Sequence, residues 1–304
     1  MPNGYWFCPI YCFRCESDTV NLEGNVQIVR IPPEFHTYLY EKSGSNFFRT
    51  VPFEVDWIIS IPQREVHEIG ESREVQMTQA LEEMERIKDL TVDLITALRL
   101  SREGRVIPGL LMSASYPTGA TPSFGGTTAW TSVSSLDFFV EESIYTFRQD
   151  DLTTINSLFK EITGWRNSGV LNHLEIPLYR FHSAYLGPIE ERLVDQIIAL
   201  ESLYLNDPQE LSYKLAMRTA YSLGNTREAR NEIFNNMKKA YNYRSKIIHG
   251  NDPPTREQLR ELVPRVEEYL RQSLKKYLLL LNEGNTMRRI QQELLDDSIL
   301  EGGQ

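Results

Sequence analysis

Nowhere in its 304 residues does the chain carry the ~18 uninterrupted apolar residues that a membrane span requires. Its opening, MPNGYWF, lacks a basic segment followed by an apolar one, so no secretory signal is read there. A cytoplasmic protein with no membrane partner is the expectation. Cysteine is scarce: Cys8, Cys12 and Cys15 are the whole set, and an odd count argues against a disulfide framework. The Gly125-Gly126 pair is followed by no GK[ST] and by no helix start, so it lacks the context of a phosphate loop. No internal repeat is visible.

What is present is the composition of a globular protein, 41% hydrophobic and 24% charged, with enough chain for two ordinary domains. The net charge of −10 is uneven. Residues 1–176 hold 14 Lys/Arg against 24 Asp/Glu, whereas residues 177–304 hold 18 of each. The acidic excess therefore belongs to the first part of the chain. Such a balance argues against broad, non-specific binding to a nucleic-acid backbone and leaves room for a local basic patch. Lys238, Lys239, Arg244 and Lys246 are the best candidate for one; a solvated helix face would explain them equally well.

The three cysteines fall together in CPIYCFRC. C-x3-C-x2-C resembles the iron–sulfur signature of radical S-adenosylmethionine enzymes, in which three thiolates hold a cluster and leave one iron open. That family usually has an aromatic residue before the third cysteine. Here it is Arg14, and no run of alternating strands and helices is long enough for the family's barrel. Zinc would need a fourth ligand, with His36 and His67 the nearby histidines. The plainer reading is an aromatic-rich strand, YWFCPIYCF, whose cysteines are small buried hydrophobes.

Up to about residue 70 the chain reads as β-rich. VQIVRI, FHTYLYE, FFRTVPFEV and DWIISIP are short β-branched and aromatic runs separated by Gly, Pro, Ser and Asn. Residues 74–101 read as one helix, with Ala80, Leu81, Met84, Ile87, Leu90, Leu94, Ile95 and Leu98 at a 3–4 spacing. VIPGLLMSASY and DFFVEESIYTF have strand character. Between them, residues 115–135 are rich in Gly, Ser, Thr and Pro and read as a loop. Asp150 or Asp151 predicts the cap of a short helix ending near Ile162.

From residue 170 the chain reads as helical, with a break at Pro177. IEERLVDQIIALESLYL, ELSYKLAMRTAYSLG, NTREARNEIFNNMKKAYNYRSKIIHG and a last helix to about Asn282 follow in order. Asp207-Pro208 marks a start, Gly224 a stop, Asp252-Pro253-Pro254 a break, and Thr255 with Gln258 a capping box. The expected class is α+β. A mixed α/β domain fills residues 1–175, an all-α four-helix bundle 176–284, and a tail 285–304.

One helix end stands out, YNYRSKIIHGN at 241–251. The apolar positions Ile233, Met237, Ala240, Tyr241, Ile247 and Ile248 surround Arg244, which puts a permanent charge within the stripe. Burying it alone is very costly, so it must meet a carboxylate, face a cleft or interface, or bind an anion. Glu201, inside the apolar run IIALESLYL, is the candidate counter-charge. His249, just before Gly250, is either a simple helix cap or a group that moves protons in acid–base chemistry. Five residues of ideal helix turn through about 140° and rise about 7.5 Å. Arg244 and His249 therefore share a face only if the last turn is distorted. Otherwise one of them meets its counterpart from a second copy across a two-fold cleft.

RLVDQIIALESLYL, ELSYKLAMRTAYSLG and IFNNMKKAYNYRSKIIHG resemble the HEPN domains (higher eukaryotes and prokaryotes nucleotide-binding), most closely the Apea-like branch. The last segment contains the family's R-x4-6-H motif as Arg244 and His249, within YxxRSxxxHG. The preceding part of the chain looks like the α/β segment that often precedes such domains. The resemblance implies a homodimeric, metal-independent endoribonuclease with no cofactor. Arg244 would orient the scissile phosphate and stabilise its developing charge. His249 would move a proton as the ribose 2′-hydroxyl attacks, leaving a 2′,3′-cyclic phosphate and a 5′-hydroxyl. Glu201, Ser245 and Tyr241 would support this pair, and Lys246 and Lys239 would contact RNA, with tRNA among the candidate substrates. His249 is followed by Gly250 and Asn251, so the HxY ending of the nucleotidyltransferase-paired toxin branch is absent. The implied role is a toxin or antiviral defence effector with a defence-system partner protein. The alternative is a non-catalytic HEPN protein serving dimerisation or RNA binding.

Overall fold

The computed structural model describes residues 5–31, 56–64, 73–109, 111–115, 123–128, 144–206, 209–250, 252–291 and 299. The architecture is α+β, and the chain divides into two compact units, Met1–Thr163 and Gly164–Gln304. FHTYLYE, FFRTVPFEV, His36, His67 and most of DFFVEESIYTF lie outside the described residues.

The first unit contains strands β1 (Tyr5–Tyr11), β2 (Phe13–Cys15), β3 (Thr19–Asn21), β4 (Gln27–Arg30) and β5 (Trp57–Pro62). Helix α1 (Arg73–Ser101), β6 (Ile107–Pro108), β7 (Leu111–Ser115), β8 (Ser123–Thr128) and β9 (Tyr145–Phe147) follow. Seven strands form one sheet in the order β3-β4-β5-β1-β7-β8, with β6 also on β1. Its pairings are antiparallel. β1 and β5 are central and read as unbroken buried runs, the pattern of strands covered on both faces. β2 and β9 make a separate parallel ribbon in which Phe13 stacks on Tyr145.

Cys8 fills this buried centre. Its thiol points at the Gly109 carbonyl 3.6 Å away, and burial pushes it up to about 12. Cys12 and Cys15 are half-buried, with burial raising both thiols. All three cysteines are free, and among the described residues no three His, Cys, Asp or Glu side chains converge as a metal's ligands. At Cys8 a small hydrophobe within a strand is what the structure shows.

Three expectations change in this unit. Residues 123–128, read as loop, form β8, with Gly126 opposite Ser113. Phe124, Thr127 and Thr128 have strand propensity, and pairing with β7 outweighs the Gly and Ser content. In α1, Ile87, Leu94, Ile95 and Leu98 are buried, but Ala80 is exposed and Leu81 is 50% exposed. Periodicity marks the apolar face and does not say how far along the helix the core extends. Residues Gln149–Asp151 form one 3-10 turn in which the Asp151 carboxylate accepts from the Arg148 N–H. Helix α2 (Leu152–Asn167) then continues past Ile162, because Trp165 extends the spacing set by Ile155, Phe159 and Ile162.

The second unit consists of α3 (Glu175–Ser183), α4 (Ile189–Tyr204), α5 (Leu211–Leu223), α6 (Arg227–His249), α7 (Arg256–Asn282) and the short α8 (Met287–Arg289). Pro177 does not break α3. It lies in the first turn, where its missing N–H would have had no partner. Asp207 and Pro208 lie outside the described residues, and α5 begins after Glu210. Thr226 caps α6, and Gly250 ends it in the left-handed conformation, φ 67. Thr255 and Gln258 exchange both bonds of a capping box at the start of α7.

The core draws Leu193, Ile197 and Leu200 from α4, Leu215 from α5, Met237 from α6, and Leu270 and Leu274 from α7, all buried. Arg192 meets Glu267 early in α4 and α7, and the Leu203 carbonyl accepts from Tyr277 late in both, so the two run in the same direction. No helix among the described residues is long and apolar enough to cross a membrane.

Candidate functional site: the Arg244 corner and its cleft

The buried residues of α6 are Ile233, Met237, Ala240 and Tyr243. Tyr241 is only half-buried and Ile248 is 49% exposed, so neither belongs to the packed stripe. A single residue turns 100° around a helix, and the 3.6-residue period carries both positions off the face that Ala240 occupies. Arg244, four residues after Ala240, stays on it. Its side chain is 25% exposed, and Nη2 lies 3.7 Å from Oε2 of Glu201 at the last turn of α4. That is ion-pair distance, too long for a hydrogen bond. The guanidinium carbon sits 5.8 Å from the centre of the Tyr241 ring. Its Nε is buried and has no hydrogen-bond partner among the described residues.

Glu201 and Tyr241 complete the corner. Burial pushes the Glu201 carboxyl above its ordinary value; Arg244 and a hydrogen bond from the Tyr241 hydroxyl oppose that rise without cancelling it. Burial, with the Glu201 charge adding to it, pushes the Tyr241 phenol up, while Arg244 pulls the other way.

The other candidates stand apart from these three. His249 is the exposed last residue of α6, which stays helical to its end, and it makes no hydrogen bond to a described residue. The last turn is thus not distorted, and the separation of about 140° from Arg244 holds. Ser245 is half-buried. Lys246 reaches Asp252 at 3.2 Å, and the ammonium of Lys239 lies 5.6 Å from the Tyr243 ring centre. The structure brings together Arg244, Glu201 and Tyr241, and among the described residues no side-chain hydrogen bond or ion pair joins His249, Ser245, Lys239 or Lys246 to them.

Beside this corner an open cleft of about 720 Å³ runs between the start of α5 and the middle of α6. Glu210, Leu211, Ser212, Tyr213, Lys238 and Tyr241 line it. Tyr213 is 48% exposed, and its ring is held edge-on against Phe234 at 5.7 Å. Sequence reasoning missed Tyr213 and Glu210. One signal was there for Tyr213: a large aromatic residue off the α5 stripe of Leu215, Ala216, Thr219 and Ala220. Nothing in the sequence marks Glu210, whose left-handed backbone, φ 52, turns the chain into α5.

Three further buried arginines in this unit are hydrogen-bonded within it. Arg192 and Arg271 both donate to Glu267, and Arg218 donates to the Tyr204 carbonyl at 2.6 Å, capping the end of α4. In comparisons with known proteins, the chain matches no family model, no curated protein and no solved structure.

Proposed function

We propose that the second unit is an HEPN-type bundle of the Apea-like branch, a homodimeric endoribonuclease that cleaves RNA without a metal ion. The observation that carries this reading is Arg244: a half-buried guanidinium near a carboxylate, hydrogen-bonded to nothing described, with Nε unpartnered. A planar guanidinium with donors to spare suits a phosphate better than any other anion-binding side chain.

In the reaction, the ribose 2′-oxygen attacks the adjacent phosphorus and the bond to the 5′-oxygen breaks. The products are a 2′,3′-cyclic phosphate and a 5′-hydroxyl. Arg244 stabilises the charge on the five-coordinate phosphate. His249 takes the 2′-proton, and the equivalent histidine of a second copy gives a proton to the departing 5′-oxygen. The intact last turn of α6 supports this two-copy site, since one chain presents Arg244 and His249 on different faces. A toxin or antiviral effector, restrained or triggered through a partner protein, is the role that fits such an activity.

The test incubates the protein with total RNA and with tRNA in EDTA, alongside Arg244→Ala and His249→Ala. Wild-type protein is expected to release 2′,3′-cyclic phosphate ends, and both variants to lose that activity. Cleavage that survives in either variant would overturn the assignment. A strictly monomeric protein at micromolar concentration, seen by sedimentation, would overturn the shared site.

The ion pair between Arg244 and Glu201 favours a second reading, a non-catalytic HEPN protein in which the pair holds α4 to α6. In that case no RNA is cut, and Arg244→Ala and Glu201→Gln lower stability equally.

A further inference from the structure

We propose that the cleft beside Arg244 holds an unstacked guanine base of the RNA strand, an inference that rests on the ribonuclease reading above. Its walls have the chemistry for one. Tyr213 stands 48% exposed at the cleft with its ring fixed edge-on by Phe234, so it offers a ready stacking surface at little entropic cost. Tyr241 lines the cleft as well.

Charge separates this cleft from a plain phosphate site. Lys238 and Glu210 both line it, one cation and one anion among the described residues. The neighbouring lysines of α6 are engaged, Lys239 on the Tyr243 ring and Lys246 on Asp252. Lys238 is exposed and makes no ion pair with a described residue, and the same holds for Glu210. A carboxylate repels a phosphate, yet it accepts well from adjacent N–H groups. Guanine has two such donors on one edge, N1–H and the N2 amino group, next to the O6 acceptor that a lysine reads. Adenine and cytosine present an amino donor beside an acceptor, and uracil a single donor between two carbonyls, so each gives the carboxylate one donor where guanine gives two.

Position ties the cleft to the reaction. Tyr241 belongs to both places: it lines the cleft, and its ring lies under Arg244. Only about 4.5 Å of helix rise separates it from Arg244. A base seated against Tyr213 and Tyr241 therefore puts its own phosphate at Arg244. The strand is cut beside guanosine.

The experiment measures binding in the His249→Ala protein, so that cleavage is not the readout. Labelled octauridine with one central guanosine is compared by fluorescence anisotropy with the adenosine, cytidine and all-uridine versions. The guanosine oligomer is expected to bind about tenfold more tightly. Glu210→Gln and Lys238→Ala should each erase that preference. Tyr213→Ala should weaken all four oligomers, and Tyr213→Phe should restore them. GMP is expected to displace the oligomer only far above the oligomer's own Kd. Displacement by GMP at that Kd would make a free nucleotide the ligand and overturn the RNA assignment. Equal binding of the four oligomers, no binding of any, or a preference that survives Glu210→Gln would overturn the guanine site. Loss of the cleft's preference with cleavage intact would leave the ribonuclease standing, and guanosine binding without cleavage would do the reverse.

Discussion

Two ionic corners of the helical unit use arginine in opposite ways. Around Glu267 both carboxylate oxygens are hydrogen-bonded. Tyr185 at 3.0 Å and Arg271 at 2.7 Å donate to one carboxylate oxygen, Arg192 at 3.2 Å donates to the other, and Arg271 also reaches Glu268. The Arg271 side chain is 2% exposed. Around Glu201 a single arginine, 25% exposed, stands off at 3.7 Å. A buried ion pair offsets its desolvation only with good geometry and its remaining donors satisfied. In geometry the two corners differ: Glu267 is held by hydrogen bonds at 2.7 and 3.2 Å, Glu201 by one pair beyond hydrogen-bond distance. The difference separates an arginine that holds helices together from one kept available for a ligand, although both look alike in an apolar sequence stripe.

The largest effect should come from breaking the hydrogen-bonded corner at Glu267. Glu267→Ala strands Arg192 and Arg271 without their shared carboxylate and should cost about 3–5 kcal/mol in urea unfolding. Arg244→Ala should cost no more than about 1 kcal/mol, because the pair it removes is long and partly solvated. If the two variants cost the same, the contrast fails and Arg244 is another structural arginine. On the proposed reaction, Arg244→Ala should lower the cleavage rate by about 10²–10³-fold. Arg244→Lys should not restore it, since an ammonium lacks the planar fork.

pH sharpens the comparison through a third carboxylate. Glu83 in α1 takes two bonds from Arg86, both 2.7 Å, and one from the Arg64 N–H. Burial works to raise its carboxyl, but these donors outweigh burial and hold it below its ordinary value. For Glu201 burial wins and the carboxyl is raised. The signs are therefore opposite. The stability contributed by Glu83 is present above its unfolded-state pKa and lost as pH falls through the lower folded value. The contribution of Glu201 is full below its unfolded-state pKa and lost as pH rises through the higher folded value. Tm measured against pH should show wild type gaining on Glu83→Gln with rising pH and losing ground to Glu201→Gln. Parallel trends would mean that Glu201 is as well paired as Glu83.

Much of the fold was legible because its signals are local. Thr255 with Gln258, Gly224 and the strand runs VQIVRI and DWIISIP are read from neighbours in sequence. Strand β8 was not, since its residues pair with β7 against their own Gly and Ser content. The exposed start of α1 was missed because an apolar period does not reveal where its covering partner stops. At the site, Arg244 and Glu201 each betrayed themselves as a charge inside an apolar run. Tyr213 and Glu210 gave weaker signs or none, because a cleft is made by two helices meeting and neither helix encodes it alone.

The smallest effect is expected at Tyr241, which lies between the cleft and Arg244. Tyr241→Phe keeps the ring beneath Arg244 and removes only the hydroxyl that helps to hold the Glu201 carboxyl down. The lost bond should cost about 0.5–1.5 kcal/mol at most. A Glu201 relieved of that donor has only Arg244 left to answer its charge and should draw the guanidinium closer. A closer pair occupies the donors that a phosphate needs. Cleavage should therefore fall severalfold, less than in Arg244→Ala, and Glu201→Gln placed on top of Tyr241→Phe should recover part of it. If Tyr241→Phe lowers stability but leaves cleavage untouched, Glu201 does not set the availability of Arg244. The open corner would then differ from the Glu267 corner in geometry alone.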